Sequence, residues 1–171
     1  MGGRDSTSAF TTLEFVIVVA LIATLAAVVL PKFHHLSLRA EAVGVQGTIG
    51  TLRSALSMKI GRALAQGQNF TAWLPGGEQA LYPMRDLLAE YADTYLGVLS
   101  ASQKRGHWFD DRESHELVYV VRNDEIVSGI AAEPRQLRWR LVGVHQETSD
   151  PTSPVIAVKL QPVTTFKWTI P

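Results

Sequence analysis

The 171-residue chain contains no cysteine. That excludes a disulfide framework and thiolate zinc sites, so any soluble part must be held by packing, with four tryptophans available for it. No glycine-rich phosphate loop, nucleophile elbow or catalytic triad can be read along the chain, which removes the usual signatures of nucleotide and hydrolytic chemistry. Net charge is absent as well: 16 Lys and Arg balance 16 Asp and Glu. Charge is scarcest in residues 10–31, FTTLEFVIVVALIATLAAVVLP, where Glu14 is the single ionisable side chain.

That run is apolar for about 21 residues, roughly 30 Å as a helix, enough to cross a bilayer core. A charged side chain in a membrane span costs roughly 2.5–3.5 kcal/mol on insertion scales, so Glu14 asks for a partner and a purpose. A secretory signal peptide needs a basic n-region and a small-x-small site after its apolar core. Here Arg4 is offset by Asp5, and no Ala-x-Ala triplet follows the run. An uncleaved signal anchor is the other plain alternative.

The combination of MGGRDSTSA, Phe10, Glu14 and Pro31 resembles the type IV pilin and type II secretion pseudopilin family. Its members carry a short leader, a cut before phenylalanine, a glutamate at the fifth residue after the cut and a proline near the twenty-second. The resemblance implies a leader over 1–9, cleavage between Ala9 and Phe10, methylation of the new Phe10 amine, and assembly roles for Glu14 and Pro31. Ala9 departs from the glycine usual before the cut. The new amine would sit beside the positive end of the helix dipole, and a carboxylate one turn away offsets both. If Glu14 neutralises the amine of an adjacent subunit, a single stagger satisfies the buried pair, so Glu14 sets register and is no catalytic acid. Pro31 either ends the helix or kinks a longer one, since it cannot donate to the Ala27 carbonyl.

After Pro31 the pattern stays helical to about Gln66. Leu38, Ala42, Val45, Ile49, Leu52, Leu56, Ile60 and Leu64 recur at spacings of three and four, predicting an apolar stripe. Gly44, Gly47, Gly50 and Gly61 weaken such a helix by about 1 kcal/mol each relative to alanine, so it needs a packed partner. From Phe10 to Gln66 the helix would measure about 85 Å. Residues 32–66 carry five Lys/Arg and one acid, a net +4. The positive-inside rule would keep those charges in the cytoplasm. The processing motif demands a cytoplasmic N-terminus instead, and the motif is the more specific signal.

Residues 67–171 read as a head. A short helix is expected over Met84–Tyr91, with Leu87 and Leu88 inward. Strands are expected over Leu117–Val121, Ile126–Ile130 after a turn at Asn123–Asp124–Glu125, and through the alternations Leu137/Trp139/Leu141, Ile156/Val158/Leu160 and Phe166/Trp168/Ile170. The fold class is α+β: a long N-terminal helix, membrane-spanning over 10–31 and amphipathic over 32–66, packed on an antiparallel sheet head. Trp108–Phe109–Asp110, Glu116–Leu117–Val118–Tyr119 and Arg122–Asn123 resemble heads of mannose-sensitive haemagglutinin-type pilins and major pseudopilins. Because major pseudopilins use a calcium-bound loop, Asp110, Asp111, Glu113 and nearby Glu116 become calcium candidates, against the plainer alternative of a solvated acidic turn. His107 and His115, or His34 and His35, lack zinc-site spacing. Arg135, Arg138 and Arg140 form a basic strand face, but the head holds ten Lys/Arg against thirteen Asp/Glu, which argues against a nucleic-acid partner. Asn69–Phe70–Thr71 is a formal glycosylation triplet.

The resemblance therefore implies a non-enzymatic structural subunit of a type IV pilus or secretion pseudopilus. It would lie in the bacterial inner membrane as a single pass, N-terminus cytoplasmic and head periplasmic, before entering the filament. Implied partners are a prepilin peptidase, other pilins or pseudopilins, an inner-membrane platform protein and, indirectly, an assembly ATPase. Many pilins close a C-terminal loop with a disulfide, so the missing cysteines favour a pseudopilin or minor pilin. The alternatives are a minor tip pilin binding a surface, DNA or cargo, and a signal-anchored periplasmic enzyme.

Overall fold

The computed structural model describes residues 11–68, 70–77, 79–80, 82–100, 103–146 and 154–169. Ala9, Phe10, Asn69 and Ile170 lie outside the described residues. The chain divides into two units, Met1–Ser37 and Leu38–Pro171.

Helix α1 spans Thr12–Ala65 and continues through Pro31. Thr11 caps its start by accepting the Glu14 N–H on its hydroxyl oxygen at 3.3 Å, the ring expected of Thr-x-x-Glu at an N-terminus. Its end is a glycine cap: the Gly67 N–H donates to Leu64 O (3.1 Å) and the Gln68 N–H to Ala63 O (2.8 Å), with Gly67 at φ +65. Within Leu38–Ala65 the buried stripe is Leu38, Ala42, Val45, Ile49, Leu52, Leu56, Ile60 and Ala63. Leu64 is exposed instead, because three residues from Ile60 to Ala63 keep the helical phase better than four near the cap.

The head places α2 (Tyr82–Tyr91) and a five-stranded sheet around that stripe. The strands are β1 (Tyr95–Val98), β2 (His107–Asp111), β3 (Glu116–Val120), β5 (Gln136–His145) and β6 (Val155–Pro162), in the order β1-β2-β3-β5-β6. Four of them pair antiparallel, and β1 adds a parallel edge against β2, so the sheet is mixed. The connection after Val98 returns the chain to the start of the sheet before β2 begins, which an uninterrupted meander does not do. The strand expected over Ile126–Ile130 is reduced to β4 (Val127–Ser128), after a 3-10 turn at Asp124–Ile126 and before Gly129 at φ +94. β4 pairs with β7 (Lys167–Trp168) in a separate two-stranded sheet. In β6, Val158 and Leu160 are buried, whereas Ile156 is exposed near the register shift at Val144/His145.

Period-two alternation sorts the strand residues onto two faces. Trp108, Leu117, Tyr119, Leu137, Trp139 and Leu141 face α1 and α2, with Met84 and Leu88 closing the core. Five rings run through it in sequence: Tyr119–Trp108 (5.0 Å), Trp108–Trp139 (5.3 Å), Trp139–Phe166 (6.1 Å) and Phe166–Trp168 (5.4 Å). Such pairs contribute about 0.5–1.5 kcal/mol each beyond burial, which is how a cysteine-free head is held. The opposite face carries a small second cluster, Phe109, Val118 and Val120, with Leu99 against it. β3 is consequently buried on both faces.

Candidate functional site

Within the N-terminal unit, residues 15–30 present an apolar surface. No residue of its most apolar 18-residue window is buried, and by length and composition this helix is the one among the described residues able to cross a membrane. Leu13, Phe15, Ile17, Leu21, Ile22, Leu25 and Leu30 are all exposed. The one hydroxyl between Phe15 and Leu30, that of Thr24, donates to Ala20 O at 2.6 Å, so it adds no unmet polar group. Glu14 is exposed in the first turn, where its charge complements the helix dipole and its N–H is capped by Thr11. His34 and His35 sit past the run with ring centroids 6.3 Å apart.

The rear of the α1 half that packs on the head is unusual. Val43, Gly47, Gly50, Ser54, Met58 and Gly61 recur at spacings of three and four, about half a turn from the buried stripe. All are exposed, and none is charged. A Cβ added at Gly44, Gly47, Gly50 or Gly61 would meet nothing within 4 Å. These glycines are therefore not required by the head. The hydroxyls of Thr51 and Ser54 turn back onto Gly47 O and Gly50 O, at 3.1 Å each, leaving the face smooth.

Glu41 is the residue that sequence reasoning missed. Its carboxylate accepts three hydrogen bonds from the head: the Tyr119 hydroxyl (3.1 Å), the Arg122 N–H (2.6 Å) and the Asn123 side-chain amide (3.1 Å). Burial, then the neighbouring Glu41 charge, pushes the Tyr119 hydroxyl far above its usual range. The available signal was position: Glu41 is the lone acid of a basic stem, three residues after Leu38 on the margin of the stripe.

The calcium candidates do not converge. Asp110 and Asp111 are adjacent in β2 and so lie on opposite faces of the sheet. Asp110 is 0% exposed on the core side, accepts the Tyr95 hydroxyl at 2.6 Å and faces Arg85 and Arg112. Asp111 instead caps the turn by accepting from the Glu113 and Ser114 N–H groups, and pairs with Arg138. Glu113 is exposed in that turn. Among the described residues no three His, Asp or Glu side chains form a group suited to a metal ion.

Nor is the basic strand face a free cationic stripe. Arg138 donates at 2.9 Å to both Asp111 and Glu116, which are cross-strand neighbours that would otherwise repel. Burial works against the charge on Asp111, but hydrogen bonds from Arg138 and Ser114 prevail and hold its carboxyl below the usual value. Arg135 donates to Asp124 O at 2.6 Å and to Val127 O, bracing the 3-10 turn, while Arg105 pairs with the Asp124 carboxylate at 2.5 Å. Arg140 remains exposed. His107 faces Arg105 O at 2.8 Å.

Comparison of the chain with protein-family models, with curated proteins and with solved structures finds no match.

Proposed function

We propose that this chain is a pilin-like structural subunit, of a type IV pilus or a secretion pseudopilus, which polymerises through α1 after cleavage between Ala9 and Phe10. The observation that carries this proposal is the contrast within one helix: residues 15–30 expose an apolar surface on every side, whereas residues 38–63 bury one stripe in a head. Contiguous apolar surface of that kind marks a membrane or protein contact. Its acid, Glu14, stands at the first turn, where the amine of a trimmed neighbour would arrive. The uncharged rear face of Val43, Gly47, Gly50, Ser54, Met58 and Gly61 supports close approach of a second helix. A tip pilin with a binding head and a signal-anchored enzyme are the competing proposals.

The test is the intact mass of the chain from native membranes with and without the prepilin peptidase, followed by assembly of Glu14→Ala. Loss of residues 1–9 plus one methyl group, with Glu14→Ala processed but absent from filaments, is the expected result. A full-length mass in both backgrounds would make the chain a signal-anchored protein.

A further inference from the structure

We propose that the head holds an oxyanion site formed by Arg85, Arg112 and His115, serving a phosphate or carboxylate group. Arg85 projects from the first turns of α2, and Arg112 and His115 from the turn between β2 and β3. Together with Ala80 they line a cavity of about 290 Å³. His115 takes φ 55, a left-handed backbone uncommon outside glycine, at the end of that turn.

Asp110 underlies the arrangement. Its Oδ2 lies 3.5 Å from Arg85 Nε and 3.8 Å from Arg112 Nε. Both Asp110 Oδ2 and Arg85 Nε are buried without a hydrogen-bond partner among the described residues. A purely structural arginine–carboxylate pair forms short, often bidentate bonds. Here one carboxylate is shared loosely between two guanidiniums. The Tyr95 hydroxyl and the Asp110 charge both favour charged Arg85. Two guanidiniums held near one oxygen repel each other, and an anion placed between them and His115 relieves that repulsion. The volume takes one phosphate or carboxylate group, with the remainder of a larger molecule outside; it falls short of the room a drug-sized ligand needs. Free phosphate and an acidic sugar share this chemistry.

The experiment is calorimetric titration of the full chain in detergent micelles, at fixed ionic strength, with inorganic phosphate and separately with glucuronate. Sodium chloride serves as the control. Saturable binding with a Kd of about 1 mM or tighter is expected. Arg112→Gln should weaken it about tenfold and Arg112→Lys less, because a lysine keeps the charge and loses the fork. Arg112 is 63% exposed, so its replacement leaves the fold in place, verified by an unchanged thermal midpoint without anion. Saturation by phosphate alone assigns a phosphate ligand, by glucuronate alone an acidic sugar, and by both a general oxyanion site. A response no greater than that to chloride, or one unaltered in Arg112→Gln, overturns the proposal. Neither result bears on polymerisation through α1.

Discussion

The two halves of α1 invert the usual relation between apolarity and burial. Residues 15–30 are apolar apart from Thr24 and are exposed, whereas residues 38–65 are mixed in composition yet bury eight side chains. An amphipathic helix finds its partner within its own chain; a helix apolar on all sides takes its surroundings from outside, whether lipid or other helices. One substitution made in each half measures the difference.

Leu52→Ala removes a side chain that is 0% exposed and should destabilise the head by about 2–5 kcal/mol. Leu25→Ala removes one that is 59% exposed and should shift the same unfolding midpoint by less than about 0.5 kcal/mol. Denaturant titrations of the full chain in detergent compare them directly. Equal losses would show that residues 12–36 already contribute to head stability, and the contrast would fail.

The two acids of α1 sharpen the same contrast. Glu41→Ala strands the Tyr119 hydroxyl, the Arg122 N–H and the Asn123 amide, and should cost about 2–4 kcal/mol. Glu41→Gln, which keeps one acceptor oxygen, should cost roughly half of that. Glu14→Gln leaves the Thr11 cap in place and should change head stability by no more than about 0.5 kcal/mol. Urea midpoints of the three variants supply the measurement. A Glu41→Ala chain as stable as the parent would mean that its carboxylate is not what ties stem to head.

If the head is stabilised from within, its acid response should also be its own. The Asp111 carboxyl is held below its ordinary value of 3.8, so its contribution is fully present above that value and is lost as pH falls below it. Arg138→Gln should destabilise the head by about 1–3 kcal/mol at pH 7, because Asp111 and Glu116 then face each other without a cation. In that variant protonation relieves repulsion, and the dependence between about pH 5 and 3 should flatten or reverse. Thermal midpoints across that range decide it; an unaltered slope would assign the acid sensitivity to other carboxylates.

Much of this fold was legible because periodicity reports burial. Leu38 to Ile60 and the alternation Leu137/Trp139/Leu141 each name a face without reference to anything distant. What escaped depends on which strand lies beside which. The parallel edge of β1 and the escape of β4 to β7 leave no periodic trace. Neither does the fate of Asp110 and Asp111: adjacency in sequence suggested one ligand cluster, while strand geometry sends them to opposite faces. Arg138 read as part of a basic strand face, yet carboxylates from β2 and β3 meet it there. Glu41 was visible only as a lone charge, since its three partners lie about eighty residues away.

The rear face of the second half decides whether the division is as clean as the buried stripe suggests. Gly47 and Gly50 have helical neighbours and open space where a Cβ would stand, so nothing in the head rewards glycine there. Glycine in a helix interior costs about 0.5–1 kcal/mol relative to alanine, mostly through the freedom it gives the unfolded chain. Gly47→Ala should therefore raise the stability of the isolated chain by about that amount, read as a higher urea midpoint at unchanged slope. Gly77→Ala provides the opposite case, since its Cβ would stand 2.4 Å from Ala72 O and must destabilise. If the chain polymerises as proposed, a methyl at Gly47 that strengthens the monomer but lowers its recovery in filaments would place a neighbouring helix against this face. The second half of α1 would then, like the first, carry surface whose partner comes from outside the chain. Equal recovery would confine that property to residues 12–36.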